Sequence, residues 1–140
     1  MFSAHASTAR TAAHFAGAYH QTGVATGVQM ATPHRLVEML FDGLMDAIAQ
    51  AQGAMAQGDI DLKCRAIKRA VSIVSEGLRG GLDLKAGQAL AADLDQLYAY
   101  IVTRLTLANL RNDQAALREC ADLVRPLREA WKAIGPQAQG

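Results

Sequence analysis

The chain has 140 residues, 51% of them hydrophobic and 19% charged, with a formal net charge of +1. That length suits one domain, and that composition excludes an intrinsically disordered chain. The near-neutral balance, with basic and acidic residues interspersed, gives no electrostatic case for nucleic acid or an anionic membrane.

Residues 1–31 are rich in Ala, Thr, Gly and His, and Arg10 is their only charged side chain. Apolar anchors are scattered through them: Phe15, Tyr19, Val24, Val28 and Met30. Ala12 to His20 suits a short helix, whereas Gly23 and Gly27 oppose a long one. The segment reads as a mobile arm. Phe15 and Tyr19 lie one helical turn apart, which suits docking; a disordered tail is the equal alternative.

The remainder reads as helices. Aromatics are only 5%, β-branched runs are sparse and alanine is abundant, so strands are not expected. Thr32-Pro33 supplies an N-cap and a first-turn proline. The helix that follows carries Leu36, Val37, Leu40, Phe41, Leu44, Met45, Ile48, Ala51 and Met55 at helical spacing. Gly58 suits a left-handed C-terminal position, and Asp59 caps the next helix. That second helix spans about Ile60 to Arg79, with a stripe of Ile60, Cys64, Ile67, Val71, Val74 and Leu78. Gly80-Gly81 stops it. The third runs from about Gln88 to Leu110, and Asn112-Asp113 forms a tight turn with its own cap. Its stripe is Leu94, Leu97, Ile101, Leu105 and Ala108, yet Tyr100, Leu107 and Leu110 lie off it. A helix apolar on several sides is either central or awaiting a partner. The fourth shows Leu117, Cys120, Val124, Leu127, Trp131 and Ile134 in a heptad-like seam. Pro126 interrupts that seam and predicts a kink or two abutting pieces.

These elements predict an all-α fold: an elongated antiparallel four-helix bundle over 32–135. Residues 1–31 form the mobile arm, which can add a short capping helix, and 136–140 are a frayed tail. No run of 18 apolar residues suggests a membrane span, and the start lacks the pattern of a signal peptide. A cytoplasmic location is expected. Cys64 and Cys120 sit in helical patterns without a Cys-x-x-Cys, which favours reduced thiols over a disulfide.

Catalytic chemistry finds no footing. The four glutamates, Glu38, Glu76, Glu119 and Glu129, lack a histidine at i+3, so no di-iron pattern exists. His5, His14, His20 and His34 all precede or open the bundle, which disfavours a metal site. His34, in a first turn, reads as a capping or surface residue. Asp42 and Asp46 lack a grouped acid, base or nucleophile and read as a solvated face or salt bridges. No phosphate-binding glycine loop is present. No enzyme activity, cofactor or metal is expected.

Ala31-Thr32-Pro33-His34-Arg35-Leu36-Val37-Glu38-Met39-Leu40-Phe41-Asp42-Gly43 resembles the signature of the flagellar secretion chaperone FliS family, Ala-Ser-Pro-His-x-Leu-Ile-x-Met-Leu-Tyr/Phe-Asp-Gly. Gln57-Gly58-Asp59 and Gly81-Leu82-Asp83 resemble its first two loops. Leu94, Leu97-Tyr98, Tyr100, Arg104-Leu105 and Ala108 to Asp113 resemble its third helix and turn. Glu129 to Ile134 resembles its last helix, and Ala18-Tyr19 with Val24 its arm. Departures are Ala99 between the two tyrosines, Thr103 before Arg104, Ala86-Gly87-Gln88 in the second loop, Pro126, and a longer arm.

The resemblance implies a cytosolic export chaperone of type III protein export in bacterial flagellum biogenesis. It would bind the disordered C-terminal segment of flagellin, prevent premature polymerisation and support delivery to the export apparatus. The export gate and flagellar regulators are further candidate partners. Nucleic acid and stable membrane insertion are not expected. The alternative is a generic four-helix interaction module with another secreted or regulatory client.

Recognition would be helix-in-groove with coupled folding. Residues left over from the core stripes are the client-groove candidates: Val37, Phe41, Ile73, Tyr100, Leu107 and Leu110. The alternative for each is ordinary core packing, and for Phe41 core packing weighs at least as much. Leu94, Leu97, Ile101, Leu105, Val124, Leu127 and Trp131 are assigned to the core. Phe15 and Tyr19 are candidates for a lid over one groove. Asn109 and Asn112 would satisfy backbone groups in their turn, and Arg104 would pair with a carboxylate such as Asp42.

Overall fold

Four long helices form where pattern and caps place them. The computed structural model describes residue 12, residues 14–19 and residues 32–135. Helix α1 is Pro33–Gln57. Helix α2 is Ile60–Ser72 and continues as a π-helical stretch, Ile73–Arg79. Helix α3 is Gln88–Arg111 and α4 is Gln114–Ile134. The anchors Val24, Val28 and Met30 and the tail 136–140 lie outside the described residues.

The caps act as read from the sequence. The Thr32 side chain accepts from the Arg35 N–H, 3.0 Å. Gly58 takes φ +73°, and its N–H closes onto the last turn of α1. A side chain would be strained in that left-handed geometry. Asp59 accepts from Leu62, 3.1 Å, and Asp113 from Ala116, 3.2 Å. Asn112 adopts φ +52° at the end of α3.

Short turns force an antiparallel path, and cross-helix contacts fix its register. On the α1–α4 seam, His34 meets Trp131, Asp42 meets Arg128, and the Gln52 carbonyl accepts from Gln114. On the α2–α3 seam, Lys63 meets Asn109 and Arg79 meets Asp95. On the α3–α4 seam, Arg104 meets Glu119. The order around the bundle is therefore α1, α2, α3, α4.

The core refines the predicted stripes. Val37, Phe41, Leu44 and Ile48 are fully buried on α1. On α2 the buried line is Lys63, Ala66, Ile67 and Ala70, so Ile60 at 67% exposure is surface, not core. On α3, Tyr98 is fully buried beside Leu94, Ile101 and Leu105, while Leu97 is only partly covered. Leu127 on α4 is likewise partly covered.

Two elements differ from expectation. The second helix widens to a π-helix over its last seven residues, and Gly80 N–H bonds the Ser75 carbonyl at i−5, 3.0 Å. The fourth is not split: α4 runs through Pro126 as one element. Pro126 and Asp122, whose carbonyl loses its i+4 donor, are both exposed. Water can serve that carbonyl, which is why the proline is tolerated there.

Candidate protein-binding surface

The arm has a built seat. Residues 14–18 are helical, and one turn brings Phe15 and Tyr19 to the same side. The Phe15 ring lies 4.9 Å from Trp131 and 6.3 Å from Phe41, both edge-on. Tyr19 lies 5.6 Å from Trp131. Phe15, Ala18 and Tyr19 are all buried. These edge-to-face arrangements suit the ring quadrupoles and add to the area buried.

Trp131 is held from the bundle side by His34. The rings stack at 5.0 Å. Trp131 Nε1–H donates to the His34 carbonyl, 2.9 Å, and His34 Nε2 lies 2.8 Å from the Trp131 carbonyl. A carbonyl only accepts, so Nε2 carries the proton. His34 is therefore not a surface residue: it is buried, and it caps not its own first turn but one of the last carbonyls of α4, which lack helical donors.

The other end of the seat is polar. The Tyr19 hydroxyl lies 2.8 Å from both the Leu78 carbonyl and the Tyr98 hydroxyl. A phenol has one proton to give, so Tyr19 donates to Leu78 and accepts from Tyr98. Leu78 has this acceptor to spare because the N–H groups of Leu82 and Asp83 bond Arg79 and Ala18 instead. Burial pushes both phenols well above their ordinary range, so both keep their protons. The Asp83 N–H donates to the Ala18 carbonyl, 2.7 Å. Gly87 permits this approach, since a Cβ there would sit 2.5 Å from Ala91 Cβ and 3.0 Å from Ala18 Cα.

The six groove candidates are not gathered in one place. Val37 and Phe41 are fully buried, Phe41 against Phe15, so neither is open surface while the arm is seated. Ile73 is half-buried beside Gly43 of α1. Tyr100 is 44% exposed, with its hydroxyl on Glu119 of α4, and half-buried Leu107 follows two turns along the same side. Leu110, 76% exposed, points away from the core. Sequence reasoning missed a groove of about 420 Å³ between α2 and α3. Ile67 and Val71 line it, with Ser72, Glu76, Thr106 and Asn109. Val71 hid it, because the helical spacing assigns that residue to the core stripe, whereas the structure leaves it partly exposed on the groove wall.

Charged partners also differ from expectation. Arg104 pairs with Glu119, 2.7 Å, not with Asp42. Asp42 instead meets Arg128 at 2.6 Å and Lys132 at 3.6 Å. Partial burial raises the Asp42 carboxyl, but the Arg128 hydrogen bond and the Lys132 charge outweigh it and hold it below the usual range. Asn109 and Asn112 do not simply close their own turn. The nearly buried Lys63 ammonium donates to the Asn109 carbonyl, 2.9 Å, and to Asn112 Oδ1, 2.6 Å. Lys63 thereby caps the negative end of α3 from the neighbouring helix. Cys64 and Cys120 are free thiols, and burial pushes the Cys120 thiol up to about 12.

Among the described residues, no group of three metal-ligating side chains converges, and no helix is long and apolar enough to cross a membrane. The surface offers an aromatic seat, a groove and exposed apolar side chains, which is the chemistry of binding. A family model described as "Flagellar protein FliS" matches residues 15–138. The chain belongs to the FliS family. It is 44% identical over 121 residues to the flagellar secretion chaperone FliS of Salmonella typhimurium, covering 86% of this chain and 90% of that one. It is 40% identical to the Escherichia coli K12 protein of that name, covering 82% and 85%. It is 33% identical to the Bacillus subtilis protein of that name, covering 82% and 81%. These FliS relatives are named chaperones, not enzymes. The FliS match opens at Phe15, so it takes in the arm's aromatic pair as well as the four helices.

Proposed function

We propose that this chain is a cytoplasmic export chaperone for flagellin. It binds flagellin's disordered C-terminal segment, prevents premature polymerisation, and hands the subunit to the flagellar type III export apparatus. The observation that carries the reading is the seat of Phe15 and Tyr19. A short helical segment lies on an aromatic floor of Phe41 and Trp131, and another helical segment can compete for that floor.

On this reading the arm is a lid. Val37 and Phe41 become client contacts once Phe15 and Tyr19 leave. Ile73, Tyr100, Leu107 and Leu110 supply apolar contacts farther out, and the groove floored by Ile67 and Val71 takes a further stretch. Several separate contacts suit a client that arrives unfolded. Ordering such a segment costs ~2–5 kcal/mol or more, so a large buried area is required. A lid also limits the apolar surface that the free protein leaves bare.

Calorimetric titration with the same organism's flagellin tests this. Intact flagellin should bind with a negative heat-capacity change. Flagellin lacking its last ~40 residues, enough for a coupled-folding interface, should not. Equal binding of both would replace the reading with a generic interaction module.

A further inference from the structure

The seat under the arm is not uniformly apolar, and this restricts what can replace the arm. We propose that the client segment displacing the arm carries a tyrosine or glutamine where Tyr19 now sits, one helical turn after a large apolar residue. This rests on the lid reading above.

The argument starts from the polar groups that stay behind. When the arm leaves, the Leu78 carbonyl loses its donor and the Tyr98 hydroxyl loses its acceptor. Tyr98 is fully buried under the arm. An incoming segment regains the aromatic contacts with Phe41 and Trp131 only by covering the same floor, which expels water again. A purely apolar segment would then bury an unpaired carbonyl and an unpaired hydroxyl, and each such group is costly.

One side chain has to donate to Leu78 and accept from Tyr98. Tyrosine does both through one hydroxyl, as the arm does. Glutamine does both through its amide NH2 and its carbonyl oxygen. Serine and threonine are too short unless their backbone runs deeper than the arm's. Lysine and arginine can donate to Leu78 but cannot accept from Tyr98. A carboxylate can accept from Tyr98 but repels the Leu78 oxygen and must be desolvated. The spacing comes from the arm itself: Phe15 fills the aromatic end and Tyr19, four residues on, the polar end.

A double-mutant cycle on full-length proteins tests the proposal. Flagellin is titrated into the native chain and into Tyr98→Phe. Each tyrosine of flagellin's C-terminal segment is changed to phenylalanine, and each glutamine to methionine. One of these changes should weaken binding to the native chain about fivefold more than binding to Tyr98→Phe, the size of one lost hydrogen bond. Native flagellin should bind Tyr98→Phe within about twofold of the native chain, since arm and client each lose one bond. Tightening of about tenfold by Tyr98→Phe, or no coupling at any tyrosine or glutamine, would overturn the proposal. A Tyr19→Phe chain separates this from failure of the lid reading. It weakens only the arm, so flagellin should bind it about fivefold or more tightly. No change there means the arm is not displaced, and the lid and this inference fall together.

Discussion

Single residues settle questions that residue type leaves open. A histidine in a first helical turn usually faces solvent, and nothing local in Thr32-Pro33-His34 says otherwise. His34 is buried because the end of α4 arrives across the bundle with an unpaired carbonyl and a flat indole. Tyr98 was hidden for the same reason. It falls outside the stripe read from the sequence, and its buried hydrogen-bond partner is the arm's Tyr19, from a distant part of the chain. The His34 arrangement gives a clean test. His34→Phe keeps a ring to stack on Trp131 but removes the donor to the Trp131 carbonyl. Leaving that buried acceptor unpaired should lower stability by ~1–3 kcal/mol. Urea unfolding followed by Trp131 fluorescence reads this directly, because the chain has one tryptophan. A change below ~0.5 kcal/mol, typical of a surface position, would mean that water or another donor already serves the carbonyl.

At the scale of elements, local chemistry and long-range chemistry separate. Thr32, Gly58, Asp59, Asn112 and Asp113 mark helix ends through bonds made within a few residues, so those boundaries were legible. The four helices and their antiparallel order followed from periodicity and short turns. The π-helical stretch was not legible, because its i−5 bonding leaves no distinct signature in Ile73–Arg79. The candidate site was legible in kind but not in layout. Phe15 and Tyr19 were readable as a pair, whereas their seat needs Phe41, Leu78, Tyr98 and Trp131 from four helices at once. Pro126 shows the limit of a local penalty. An interior proline costs ~3 kcal/mol against alanine, yet α4 continues through it because the lost bond faces solvent. Pro126→Ala should therefore stabilise the chain. The restored N–H donor to Asp122 favours the variant, and the looser unfolded chain offsets ~0.4–1 kcal/mol of that gain. The net expectation is a gain of ~2–2.6 kcal/mol, the difference of those two terms, read as a higher urea midpoint at unchanged slope. A lower midpoint would show that the ring of Pro126 makes contacts in the folded chain that outweigh the hydrogen bond it removes.

Over the whole molecule, ion pairs link neighbouring helices on three seams. Asp42 ties α1 to Arg128 and Lys132 of α4. Arg79, ending the π-helical stretch, meets Asp95 of α3. Arg104 of α3 meets Glu119 of α4. All three carboxyls are held below their usual range. For Asp95 the cause is the Arg79 hydrogen bond. For Glu119 it is the Tyr100 hydrogen bond and then that of Arg104. A carboxyl depressed in the folded state binds its proton more readily when unfolded, so acid favours unfolding. The stability it contributes is fully present above the unfolded values of about 4. It is lost as pH falls through the lower folded values. The melting temperature should be flat from about pH 7 to 5 and fall below about pH 4. Exposed pairs contribute little individually, so the discriminating measurement is a difference. Asp42→Asn combined with Glu119→Gln should melt slightly lower at pH 7 and lose less on acidification than the native chain. Parallel pH profiles would assign the acid sensitivity to general charge repulsion instead. Converging profiles would locate it on these seams, including the α1–α4 seam that positions Trp131 beneath the arm.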